Sequence, residues 1–171
     1  MTSDINALPE ELKIDSAYLW GHSDGAILGL LLAMDHPKKV KKLLAFGANI
    51  QPDNTAMFQW TIDHDKKIVK ESSDIQHMKL CQLILDYPNI PFSSLLRISI
   101  PVLVMAGDHD AIRPEHTLKI FQSIPNSQLC ILPGSTHTAA WEKVDTFLNF
   151  LYDFLDRPFT MPNTGDSYHD N

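Results

Sequence analysis

The residues best equipped for chemistry lie at 21–25, Gly-His-Ser-Asp-Gly. They fit the pattern G-x-S-x-G, which carries meaning only between a strand and a helix. Both are on hand: the compact apolar run SAYLW (16–20) reads as a buried strand, and GAILGLLLAMDHP (25–37), apolar on nearly every side and stopped by Pro37, reads as a buried helix. A serine between them must stand on a sharp turn, where Gly21 and Gly25 remove the Cβ atoms that would collide. The helix start also aims backbone N–H groups at negative charge developing near Ser23. Ser23 is therefore the candidate nucleophile.

A serine hydroxyl is a weak nucleophile at neutral pH, so it needs a base, and the base needs an orienting carboxylate. GDHDAIRP (107–114) follows one strand-like run and PGSTHTAAWE (133–142) follows the next. Asp110 and His137 would then stand on loops at the same sheet edge as Ser23, in the chain order Ser, Asp, His. On residue types alone Asp108 stays open, as a loop-capping residue or as the acid. The backbone N–H of Asp24, directly after the serine, is the expected first oxyanion donor.

Further elements must hold these loops in place. VKKLLAFGA (40–48), ISIPVLVMAG (98–107) and SQLCIL (127–132) read as strands, with helices from Pro114 to about Ile124 and over 139–156, the latter with Val144, Leu148, Leu151 and Leu155 on one stripe. Strands that are continuous apolar runs and alternate with helices predict an α/β fold, a parallel sheet of about four strands flanked by helices. Two charged amphipathic segments, 55–70 and 73–86, form a helical insertion over 53–97. Its Met57, Phe58, Trp60, Leu80 and Leu83 either line an acyl pocket or pack against the core. The expected organisation is a core of 1–52 and 98–157, a helical lid of 53–97 and a flexible tail of 158–171. Ile5, Leu8 and Leu12 share one face of a short helix over 2–13, bent or shortened by Pro9.

From SAYLW to the end of the last helix, the chain resembles the C-terminal half of the α/β-hydrolase fold family. In that family the acid commonly stands in G-x-x-D-x-x-x-P, which selects Asp110 (with Gly107 and Pro114), and the base follows the last strand, which selects His137. The stretch GHSDGAILGLLLAMDHPKKVKKLLAFGAN is similar to the valacyclovir hydrolase (biphenyl hydrolase-like) branch of serine esterases, where an acidic residue after the nucleophile recognises the substrate's α-ammonium group. The resemblance implies that Asp24 favours amino-acid esters; the plainer reading has Asp24 satisfying local backbone donors. His22 joins Asp24 as an oxyanion or substrate-binding candidate, lining the pocket or packing under the elbow.

The family's sheet normally has eight strands, and the nucleophile follows the fifth. Here there is room for one helix ahead of Ser23, so the resemblance implies a truncated fold without the N-terminal strands and the second oxyanion donor. SAYLW then becomes an exposed edge, with two expected outcomes: a homodimer through residues 16–20, or a chain that is a fragment of a longer gene product. The expected function is a serine hydrolase acting on a small carboxylic ester without cofactor or metal. The alternatives are a catalytically impaired remnant acting as an interaction module, or a C–C bond hydrolase or lactonase using the same residues.

The composition is that of a soluble globular protein. A net charge of −7 and no basic stripe give no footing for nucleic acid, and PKKVKK (37–42) reads as a solvated turn. The longest apolar run, AILGLLLAM, is too short to span a bilayer. The N-terminus MTSDINALPEELK is acidic and polar, unlike a signal peptide, so a cytoplasmic location is expected. Cys81 and Cys130 sit among apolar residues and read as small buried hydrophobes. His36, His64, His77, His116 and His169 read as surface or helix-end residues, and the spacing of His109 supports no metal.

Overall fold

The computed structural model describes residues 11–163. Residues 2–10 of the expected first helix and the tail beyond 163, with His169, lie outside that range. Four strands form one parallel sheet in the order β1 (Ala17–His22), β2 (Val40–Phe46), β3 (Val102–Gly107) and β4 (Ser127–Leu132). Between them run α1 (Asp24–Asp35), α2 (Gln59–Glu71), α3 (Ile75–Asp86) and α4 (Pro114–Ser123); α5 (Ala139–Glu142) and α6 (Val144–Asp156) follow β4. Among the described residues no helix is long and apolar enough to cross a membrane.

Successive strand residues point to opposite faces, and both faces are covered. Leu43, Ala45, Val102 and Val104 face one layer, where they meet Ala26, Leu30 and Ala33 of α1 and Ile120 of α4. Leu44, Phe46, Leu103 and Met105 face the other, against Phe147 and Phe154 of α6. With two apolar faces the alternation disappears from the sequence, so these strands read as unbroken apolar runs. β3 is buried at every residue.

β1 is an edge strand, bonded only to β2 among the described residues. It is not buried as its composition suggested: Tyr18 is 50% and Trp20 47% exposed. On its other side Leu19 and Gly21 border a small apolar groove shared with Leu28 and Leu32 of α1.

The last helix also differs from expectation. It breaks at Lys143 into two pieces, and the side chains deepest in the core are Phe147 and Phe154, with Leu148, Leu151 and Leu155 partly buried beside them; Val144 is exposed. Two bulky rings seven residues apart, two helical turns, outweigh the aliphatic stripe in setting the buried face. PKKVKK is likewise only partly a solvated turn. Lys42 lies within β2, and its Nζ donates to the carbonyls of Phe154 (2.7 Å), Leu155 (2.9 Å) and Arg157 (2.6 Å), placing a cation on the carbonyl end of α6. Beyond that end, Phe159 packs against the same cluster and Gln128 Nε2 donates to Thr160 O.

His116 is the third departure. It is not a surface residue but buried, and its Nε2 accepts the backbone N–H of Ile50 at 3.1 Å, fixing the chain that leaves β2. Burial pushes its pKa down to about 4. The neutral ring is therefore part of the fold, and the sign of its pH effect follows. The unfolded chain takes up a proton near pH 6.5 and the folded one only near 4, so stability falls as pH drops through that window and then levels off. The expected loss from this residue is on the order of 3 kcal/mol. In urea titrations between pH 7 and 4, His116→Gln, which can accept the Ile50 N–H and does not titrate, should flatten this slope.

Candidate active site

Parallel strands deliver all their carboxyl ends to one edge, and the candidate residues lie on the loops that leave it. Ser23 follows β1 directly, with its backbone at φ 54° and ψ −119°, the left-handed side of the map that a side chain occupies only under strain. Two contacts hold it there. Ser23 N donates to Phe46 O at 2.9 Å, and the backbone of residue 21 passes directly over the first turn of α1. A Cβ on Gly21 would run into the Gly25 carbonyl and come within 2.6 Å of Ala26 N, so only glycine allows that passage. By contrast, nothing lies within 4 Å of where a Gly25 Cβ would stand, so the second glycine is not required by that contact. α1 begins at Asp24, whose N–H and that of Gly25 have no intrahelical partner.

Asp110 and His137 are joined. The Asp110 carboxylate, its side chain fully buried, accepts His137 Nδ1–H at 2.6 Å and Ile112 N–H at 2.9 Å, with Gly107 N–H at 3.3 Å on the other oxygen. That fixes the tautomer: Nε2 of His137 keeps its lone pair, and the ring is a quarter exposed. No hydrogen bond links Ser23 Oγ to His137 among the described residues, so one of the two expected contacts is present and the other is not.

Asp108 is resolved by its partners. It has no bond to His137 and accepts Gly134 N at 2.8 Å, Ser135 N at 3.0 Å and His109 Nδ1 at 2.9 Å. It clamps the loop that carries His137. On the far side of that loop Glu142 accepts from Thr136 N (2.9 Å) and Thr138 Oγ1 (2.8 Å), while Lys143 donates to Pro133 O.

Residue-type reasoning missed Gly47. It sits at φ 63°, just past β2, and a Cβ there would stand 2.7 Å from His137 Cε1 and 2.9 Å from Nδ1. The imidazole rests on bare backbone, and the only sequence signal was a glycine closing an apolar strand. His22 packs beneath the elbow. Its ring lies 4.7 Å from that of His137 and 4.9 Å from Trp141, and Nε2–H donates to His137 O at 2.8 Å. Burial holds it below the ordinary imidazole value. Asp24, half-buried, borders a groove of about 130 Å³ with Ile27, Leu28, Leu83, Tyr87 and Pro88.

Among the other insertion residues, Met57 packs with Ala56, Ile62 and Ile112, Phe58 lies under Arg113, and Trp60 and Leu80 are exposed. Cys81 is buried, Cys130 half-buried, and both are free thiols. No group of three or more His, Cys, Asp or Glu is poised to hold a metal among the described residues.

The backbone N–H of Gly134, with His109 and Ser135, holds the Asp108 carboxyl below the usual carboxylate range. A depressed carboxylate contributes stability above its unfolded value near 4, and loses it as pH falls further. Asp108→Asn should remove the part of the acid unfolding slope that lies below pH 4, below the window of His116, in thermal melts from pH 5 to 2.

Comparison with known proteins bears on the fold. The family described as alpha/beta hydrolase fold matches residues 1–69. A 2-hydroxy-6-oxo-6-phenylhexa-2,4-dienoate hydrolase of Burkholderia cepacia is 26% identical over 192 residues, 88% of this chain and 66% of the relative. The serine hydrolase BPHL of Mus musculus is 24% identical over 171 residues, 89% of this chain and 59% of the relative. The chain thus spans 59–66% of the length of these curated relatives. Among solved structures, a putative non-heme bromoperoxidase BpoC from Mycobacterium tuberculosis H37Rv superposes with a TM-score of 0.74 at 17% identity, over 91% of this chain and 72% of that one. With its four-stranded parallel sheet and flanking helices, this chain has the α/β-hydrolase fold, and it is distantly homologous to the serine hydrolase BPHL and to the meta-cleavage product hydrolases.

Proposed function

We propose that the protein is a serine hydrolase of carboxylic esters. The observation that carries the reading is the buried Asp110 carboxylate bonded at 2.6 Å to His137, on the same sheet edge as a serine held in a left-handed turn. Ser23 Oγ attacks the ester carbonyl while His137 Nε2 takes its proton. The Asp24 and Gly25 N–H groups at the start of α1 face the oxyanion. The imidazolium, steadied by Asp110, then returns the proton to the leaving alcohol. Water repeats the sequence on the acyl-enzyme. The bond between Ser23 and His137 forms with substrate in place, as catalytic hydrogen bonds commonly tighten only then. The Asp24 carboxylate, at the rim of the groove closed by Leu83 and Tyr87, suits an ammonium group, which favours amino-acid esters.

A second reading has one specific support, the dienoate hydrolase of Burkholderia cepacia among the relatives. There the same residues would serve to break a carbon–carbon bond.

Hydrolysis of p-nitrophenyl acetate should fall at least ~10³-fold in Ser23→Ala. Equal rates in both proteins would remove the enzyme reading in favour of a non-catalytic module. With matched amino-acid and acyl esters, Asp24→Ala should lose about 10-fold or more of the preference for the charged series; an unchanged ratio would eliminate ammonium recognition.

A further inference from the structure

The residue just before the candidate nucleophile reaches the backbone of the candidate base. His22 closes β1, its ring lies between those of Trp141 (4.9 Å, edge-on at 84°) and Phe46 (5.8 Å), and its Nε2–H ends on His137 O at 2.8 Å. The acceptor is a carbonyl, so the nitrogen must carry the proton, and the aromatic neighbours leave the ring little room to turn. Trp141 belongs to α5, the turn that follows the His137 loop, and its backbone N–H donates to Thr138 O at 2.8 Å. His22 therefore touches the His137 loop at two places, while its own backbone continues into Ser23.

The other restraints on His137 come from the loops after β2 and β3 and from the start of the last helical segment. Asp110 holds the ring through Nδ1, Gly47 supports its face, and Asp108 and Glu142 pin the flanking residues. Of these, only Gly47 also reaches the elbow, through the bond from Ser23 N to the neighbouring Phe46 O; His22 adds a direct side-chain link. We propose that His22 is a positioning residue, a hydrogen-bonded strut between the nucleophile elbow and the loop of the base that sets the separation of Ser23 Oγ from His137 Nε2. The inference rests on the reading of Ser23 and His137 as nucleophile and base. It assigns His22 to the inner wall of the site and away from substrate, since its one donor nitrogen is already occupied.

A strut of this kind acts on the step in which the proton moves and leaves substrate affinity alone, because catalysis is sensitive to sub-ångström placement of the reacting groups. Two substitutions separate it from mere packing. His22→Leu fills the space without a donor, and His22→Gln offers an amide N–H at nearly the reach of Nε2. With p-nitrophenyl acetate, His22→Leu should lose about 10-fold or more in kcat with KM within about twofold, and His22→Gln should recover most of that loss. Equal kcat in all three proteins, or equal loss in both variants at matched urea midpoints, would overturn the strut.

A second measurement needs no turnover. In proton spectra of the folded protein, the His137 Nδ1–H resonance should stay sharp and far downfield in wild type and His22→Gln, and broaden in His22→Leu. An unchanged signal in His22→Leu would overturn the strut as well. Should wild type prove inactive toward esters, the proposed function fails while this signal still decides the tether.

Discussion

Everything at the candidate site depends on four strands running the same way. A parallel pair cannot be joined by a tight turn, so each strand must be followed by a crossover that returns the chain to the starting edge. The loops leaving β1, β2, β3 and β4 consequently share one rim. Residues 23, 47, 110 and 137, far apart in sequence, are carried to that rim by the strands, and the bond between Asp110 and His137 then joins two of the loops. The energy that assembles the site is the burial of Leu43, Leu44, Phe46, Leu103 and Met105 between two helical layers.

Burial brings the loops to one rim, and polar side chains then hold them there. The loop of His137 is held by acceptors on both flanks, Asp108 before it and Glu142 after it, and its imidazole lies on the uncovered backbone of Gly47. The turn of Ser23 is held in an unfavourable conformation by a bond to Phe46 O and by the passage of Gly21 over α1. Strain confined to one residue is tolerable where the surrounding sheet is this well packed.

The fold was legible because its signals are local and redundant. β4 occurs at the residues its apolar run occupies, and α4 starts at Pro114 as a proline at a first helical position should. Ser23 and His137 were proposed from order and loop position, and Asp110 was preferred to Asp108 on the family resemblance; the structure brings Asp110 and His137 into contact. The failures at His116, Lys42 and Gly47 share one cause, a role that depends on a partner distant in sequence. His116 resembles a solvated helix residue until the Ile50 amide is seen to end on it. Lys42 reads as part of a charged turn until the carbonyls of residues 154–157 converge on its ammonium. Gly47 has no side chain to announce it, and the stripe over 144–155 misplaced the buried face because Phe147 and Phe154 dominate by size.

The way the helical pair α2–α3 is rooted has a mechanical corollary. Phe58 N bonds to Ala111 O, Arg113 N bonds to Ala56 O, and Met57 bridges Ile112, so a short antiparallel seam runs beside the acid loop. Arg113 reinforces it by lying 4.8 Å over the Phe58 ring. A seam of that kind cannot serve as an axle. The pair is thereby anchored at residues 56–58 to the same loop that carries the carboxylate of Asp110, so the footing of α2 and the placement of that acid share one set of backbone bonds.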